Sequence, residues 1–237
     1  MRKLLGLVVL LLLSSPCWAT YARVDRGTGT AQATASSCAV TLTSSAANDL
    51  YVIGAEAFDN TETISSVTVS SNSNATAYVG PISNSTHNTE WLYYAIPTTS
   101  SGFTFTVNFS SSVFHSCVVV EFSGNPTSGI TDHNATGTGN GSSLTAGSSI
   151  TPTQANSLVV VLGGSDAATT MSAGTNFTLN AHDTLSTGGI GIEYWIQTTA
   201  TATNGPMSLS GSNNWIDIVA DFNISGITPS QPWVILP

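Results

Sequence analysis

The sequence predicts an all-β protein, a two-sheet antiparallel sandwich, jelly-roll-like, built from two similar halves. Three observations carry that reading. Beyond residue 19, windows with the 3.6-residue apolar period of a helix do not occur, while short runs rich in Val, Ile, Thr, Tyr and Phe recur throughout. Clusters of Ser, Asn and Gly separate these runs at the spacing of sandwiches and barrels. The chain also repeats itself: Ala47-Asn48-Asp49-Leu50 opens one apolar run and Ala155-Asn156-Ser157-Leu158 opens another.

The elements follow in order. Residues 1–19 read as a secretory signal peptide, with Arg2 and Lys3 ahead of an apolar run over 4–13 and Cys17-Trp18-Ala19 at the expected cleavage point. That run is about half the ~20 residues a membrane-spanning helix needs. A single β-sandwich domain is expected over 20–226. In its first half the alternation places strands near 37–43, 49–58, 64–70, 76–80, 90–97, 103–109 and 113–122. The second half gives 130–136, 148–152, 157–165, 175–180, 189–197, 205–210 and 214–223. Residues 123–149, rich in Gly, Ser and Thr, are either a linker or a strand crossing between the sheets.

The repeat extends beyond its opening motif. Tyr94-Ala95-Ile96 matches Tyr194-Trp195-Ile196, and Val118-Val119-Val120-Glu121-Phe122 matches Ile218-Val219-Ala220-Asp221-Phe222, both at an offset of one hundred. The halves run over about 38–124 and 130–224. Each is too one-sided to bury a good core alone, so the expected solution is to stack them face to face. Alternation assigns Ile216, Ile218, Ala220 and Phe222 to the core and Asp217, Val219 and Asp221 to the opposite face. Phe103, Phe105, Val107 and Phe109 repeat the pattern. The end of the chain, 227–237, is a proline-punctuated apolar tail. Its residues Trp233, Val234, Ile235 and Leu236 are expected either to dock on the domain or to mediate self-association by strand addition.

Charge narrows the function. All four Lys and Arg residues fall at positions 2, 3, 23 and 26, whereas 12 of the 13 Asp and Glu residues lie beyond them. A body without permanent cations has nothing to neutralise phosphates, which excludes nucleic acid as a partner. It also excludes Lys nucleophiles and Arg clamps over that stretch. No membrane partner is expected once the signal is removed. Two cysteines remain after signal removal, Cys38 and Cys117, and an even count in an exported chain points to a disulfide.

Catalytic motifs are sparse. Gly163-Gly164-Ser165-Asp166-Ala167 lacks the second glycine of a nucleophile elbow. A glycosidase needs two carboxyl groups across a cleft, for which Glu56, Glu90, Glu121, Glu193, Asp217 and Asp221 are the candidates. Glu121 and Asp221 hold equivalent places in the two halves, which argues for a structural habit of the repeat. His87, His115, His133 and His182 are scattered without zinc spacing. Asp132 and Asn134 offer oxygen ligands that suit calcium; no other cofactor is expected. Aromatic residues concentrate in two equivalent strands, so Trp91, Tyr93 and Trp195, beside Glu121 and Glu193, are the candidate face for stacking on extracellular glycans.

Asn48-x-Leu50, Tyr93-Tyr94-Ala95, the Phe-x-Val-x-Phe strand at 105–109, Glu121-Phe122-Ser123-Gly124, Gly137-Thr138-Gly139 and Asn156-x-Leu158 form an ordered series. In these motifs the chain resembles a group of secreted bacterial and metagenomic β-sandwich proteins that sometimes sit beside immunoglobulin-like or adhesin-type modules. The resemblance covers most of residues 38–223 and implies a fold and an extracellular or cell-surface location, without catalytic residues. The expected function is therefore a secreted, non-enzymatic sandwich for surface display, adhesion or extracellular assembly. The alternatives are a carbohydrate-binding module using exposed Trp and Tyr and, after it, a glycoside-active enzyme.

Overall fold

A computed structural model describes residues 21–43, 45–70, 73–84, 88–100, 102–124, 130–167, 169–185 and 188–223. The expected signal peptide and the apolar tail lie outside these. The described chain is β throughout. The first half contributes β1 (Ala22–Thr41), β2 (Leu50–Ala57), β3 (Ile64–Val69), β4 (Ser73–Asn74), β5 (Thr76–Ser83), β6 (Thr89–Ala95) and β7 (Thr104–Ser123). The second contributes β8 (Thr131–Leu144), β9 (Ser157–Ser165), β10 (Met171–Ser172), β11 (Thr178–Leu185), β12 (Gly188–Gln197) and β13 (Met207–Phe222).

Each half forms its own antiparallel sheet, and apart from β4, which has no counterpart in the second, the two share one topology. The first runs β4-β3-β7-β2-β6-β5 with β1 also on β7; the second runs β10-β13-β9-β12-β11 with β8 also on β13. The repeated Ala-Asn-x-Leu motif has the same job in both. Asn48 and Asn156 adopt left-handed backbone angles, φ 63° and 62°, a region Asn tolerates better than most residues. Their amides then donate to Pro97 O at 2.7 Å and Gln197 O at 2.6 Å, at the ends of equivalent strands.

The sheets stack through a central core that includes Leu50, Val52, Leu92, Val118, Val120 and Phe122 from one and Leu158, Val160, Leu162, Ile216, Ile218 and Phe222 from the other. The aromatic contacts across it are reciprocal: Phe122 packs edge-on against Tyr194 at 5.2 Å, and Phe222 against Tyr94 at 5.9 Å. When residue i of one part meets j of the other and their equivalents meet in return, the parts are related by a two-fold operation. The predicted equivalence of 113–122 and 214–223 is therefore present in three dimensions.

Several expectations need correction. A half is not one-sided. Its longest strands bend, and their outer segments fold back over the opposite face of the sheet. In the first half, Phe103, Phe105, Val107, Val67 and Val40 cover Tyr51, Ile53 and Trp91 in a second core. In the second half, Leu144, Met207 and Leu209 cover Val159, Val161 and Val219 in a third. The face carrying Asp217, Val219 and Asp221 is consequently buried, each residue at 0 % exposure. The strands expected at 103–109 and 113–122 are one strand, β7, as are 205–210 and 214–223 in β13. Residues 131–144 form β8, an edge strand of the second sheet on β13, rather than a linker or a crossover. The strand expected at 148–152 reduces to a single bridge between Ile150 and Thr203. Residues 22–36, to which the alternation assigns no strand, pair with β7 as the first part of β1.

Cys38 and Cys117 are bonded, S–S 2.03 Å. Cys38 sits on the folded-back part of β1, opposite Val107, and Cys117 on the inner part of β7. The bridge therefore fastens the flap to the sheet across the second core.

Candidate functional site

The acidic side chains are where chemistry would be sought, and the sheets have drawn most of them inside. Glu56 and Glu90 lie directly opposite each other on β2 and β6, both at 0 % exposure. They face the central core because Leu50, Val52, Leu92 and Tyr94, at even positions on the same strands, face it too. Their carboxyl groups converge on Gly164 of β9, where even a Cβ would collide with both. The Asn88 side-chain amide donates to Glu56 Oε1 at 2.6 Å, while neither Glu90 oxygen has a hydrogen-bond partner. Burial first, then the Glu56 and Asp217 carboxylates, hold Glu90 protonated far above the usual carboxylate range. Two opposed carboxyl groups, one of them held protonated by burial, are acid–base equipment in the abstract, but this pair is sealed between two sheets.

The acids on the outer faces are fastened to backbone. Glu121 Oε1 accepts from the Tyr51 hydroxyl at 2.6 Å and the Ala46 amide at 2.9 Å, pinning the loop ahead of β2. The same Glu121, after burial, pushes Asp49 up to about 6. Asp221, its equivalent, accepts from the His133 amide at 2.6 Å and pins the start of β8. This symmetry of use is what the paired positions suggested. Glu193 Oε2 accepts from the Gly174 amide at 2.9 Å, and burial pushes its carboxyl up to about 8. Asp217 occupies the place equivalent to Cys117. Burial, and next Glu193, raise it well above the ordinary range, against a weaker lowering by the Ala146 backbone amide.

The candidate sugar-stacking residues are packing residues to different degrees. Trp91 is 4 % exposed, with its ring against Phe109 at 6.2 Å. Trp195 is half-buried against Phe177 at 5.7 Å, and Tyr93 is half-buried beside the second core. Trp91 and Tyr93 belong to the first sheet and Trp195 to the second, so they do not make one row. Glu121 and Glu193, meant to stand beside them, are fully buried.

Two groupings reach the surface. Arg26, Leu179, Asn180 and His182 line a pocket of about 430 Å³ between β1 and β11, where the Arg26 guanidinium donates to Asn180 O. At the opening of β8, Asp132, His133 and Asp221 bring a nitrogen and two oxygens together, each within 4.8 Å of the others. Asp132 was expected to act with Asn134. Asn134 lies two residues further along β8 and is exposed, past the register shift that sets Ala220 opposite Asn134 but Phe222 opposite Thr131. Asp221 could not be placed beside Asp132 from sequence, since only the β8–β13 register brings 221 to 131–133. In comparison with known proteins, the chain matches no family model, no curated protein and no solved structure.

Proposed function

We propose that this is an exported, non-enzymatic β-sandwich that serves as a passive module outside the cell, in surface display, adhesion or assembly. The observation that carries the reading is the burial of Glu56, Glu90, Glu121, Glu193, Asp217 and Asp221 at 0 % exposure. The side chains from which a glycosidase pair would be drawn are committed to packing and to holding loops. An active pair needs a cleft with about 5–10 Å between its carboxyl groups and room for a sugar ring and water. The Cys38–Cys117 bond and the absence of Lys and Arg beyond Arg26 suit a chain exposed to oxidants and proteases. A carbohydrate-binding role would have to work through Tyr93 or Trp195 singly, which gives less stacking area than a platform.

The test is export of the full chain from a bacterial host, followed by fractionation, a glycan array and a panel of chromogenic glycosides. The expected result is a chain starting near Thr20 outside the cytoplasm, associated with the surface or with itself, and without glycoside turnover. Cytoplasmic retention, or turnover abolished by Glu90→Gln, would overturn the proposal.

A further inference from the structure

We infer that Asp132, His133 and Asp221 form a binding site for one divalent transition-metal ion, with zinc the ion whose chemistry fits the donors best.

The donors are one imidazole and two carboxylates. His133 Nδ1 lies 3.1 Å from Asp132 Oδ1 and 3.8 Å from Asp221 Oδ1. A tetrahedral ion about 2.0–2.2 Å from each ligand sets its ligands roughly 3.3–3.5 Å apart, so small rotations of the side chains bring these three to that spacing.

The surroundings are arranged as a second shell arranges metal ligands. One oxygen of each carboxylate is anchored by a backbone amide: Asp132 Oδ2 by Thr153 N at 2.7 Å, and Asp221 Oδ1 by His133 N at 2.6 Å. That leaves Asp132 Oδ1 facing the imidazole and Asp221 Oδ2 unclaimed. Asp221 Oδ2 is buried without a hydrogen-bond partner, on a residue at 0 % exposure. A buried carboxylate with one oxygen unpartnered and the other 3.8 Å from an imidazole, next to a second carboxylate, is an acceptor set that a cation would complete.

The backbone beneath is fixed from the first half of the chain. The Tyr78 hydroxyl accepts from Asp132 N at 3.1 Å and lies 2.9 Å from the carbonyls of His133 and Asp221. His133 gives access, its side chain 44 % exposed, so an ion can enter and keep water on its open positions. The imidazole decides the metal class. Calcium takes six to eight oxygens, whereas a nitrogen with two carboxylates suits zinc and its neighbours. A bound ion would tie the first turn of β8 to the end of β13, the two ends of the second half.

The test uses the full exported chain, stripped with chelator, titrated with Zn²⁺ by calorimetry and with Co²⁺ by visible absorption. The expected result is one ion per chain, visible ligand-field bands with Co²⁺, and a rise in melting temperature on adding Zn²⁺. His133→Gln, at an exposed position that does not threaten folding, should weaken Zn²⁺ binding at least about tenfold, as should Asp132→Asn. His182→Gln should leave it unchanged. The inference fails if stoichiometric binding is missing up to about 1 mM Zn²⁺, if His133→Gln binds like the wild type, or if Ca²⁺ competes on equal terms.

Discussion

Gly164 shows how far the two halves have diverged, and that they did so in a complementary way. It is the counterpart of Glu56, as Leu162 is of Gly54, at the offset of 108 shared by Asn48 and Asn156. In both cases the equivalents meet across the central core. A Cβ on Gly54 would strike Leu162, and one on Gly164 would strike the Glu56 and Glu90 carboxyl groups. Where one copy is large the other has surrendered its side chain. Gly164→Ala should therefore destabilise the protein by about 1–3 kcal/mol, the range for overpacking a tight core; a urea midpoint unchanged from wild type would refute it. Cys117 and Asp217 diverged in another way, with a covalent bond in one copy and a buried acid in the other. Replacing Cys38 by Ala should remove about 4 kcal/mol, since the bond spans 79 residues of chain. Equilibrium denaturation of the variant measures this, and a loss under about 1 kcal/mol would mean that the flap is held by its apolar contacts alone. The disulfide was legible from the cysteine count, whereas the Glu56–Glu90 pair was not. An acid inside Leu50-Tyr51-Val52-Ile53-Gly54-Ala55-Glu56 violates the apolar run, but only the β2–β6 register shows that Glu90 stands opposite.

At the scale of the element, the long strands are what the sequence concealed. Ser110-Ser111-Ser112 and Ser210-Gly211-Ser212 have the composition of turns, so alternation breaks there and predicts two strands. In the structure they mark the places where β7 and β13 bend without ending. Carboxylates hold both bends. Glu62, itself 6 % exposed, accepts from the amides of Ser110 and Ser111 at 2.8 and 3.1 Å and from both hydroxyls. Asp166 accepts from the Asn214 amide at 3.0 Å and its side chain at 2.7 Å. Burial alone would raise the Glu62 carboxyl, but the bonds from Ser110 and Ser111 outweigh it and hold it at about 2. Glu62→Gln keeps the shape and loses the charge, so it should cost about 2 kcal/mol at pH 7, and less toward pH 2, where the wild type also becomes neutral. Chemical denaturation at the two pH values checks this; an equal cost at both would show that charge is irrelevant to the bend. The first part of β1 escaped detection because Gly27, Thr28, Gly29 and their neighbours carry little apolar bulk. They pair along an edge of the sheet through backbone alone.

For the whole molecule, repetition was the most readable feature, because identical burial on equivalent strands forces similar residues onto both. What could not be read was the second use of each sheet. A face bearing Asp217 and Asp221 looks solvated until the flap that covers it is known. The result is five layers, three of apolar packing separated by two sheets, with carboxyl groups embedded in all three. Their titration should govern how stability responds to pH. Asp49 and Asp221 are raised to about 6 and Glu193 to about 8, with Glu90 and Asp217 raised well above the ordinary range. An acid raised on folding binds a proton that the unfolded chain releases above about pH 4. Its stabilisation is complete below that pH and is lost as the pH rises through the folded-state value. Glu62, Asp59 and Asp132 are lowered and act in the opposite sense, their contribution vanishing only as the pH falls below about 4. The two sets place the stability maximum in mild acid.

The most direct test of the claim that the acids are structural, sealed and protonated is calorimetric melting of the full chain, wild type and Glu90→Gln, from pH 4 to pH 8.5. The account predicts that the wild-type melting temperature falls by about 10 °C or more across that window. It also predicts that Glu90→Gln, which needs no proton to be buried, falls less and overtakes the wild type at the alkaline end. A wild-type melting temperature that is flat or rises with pH, with Glu90→Gln tracking it in parallel, would mean that these carboxyl groups titrate as if in water and would contradict the account.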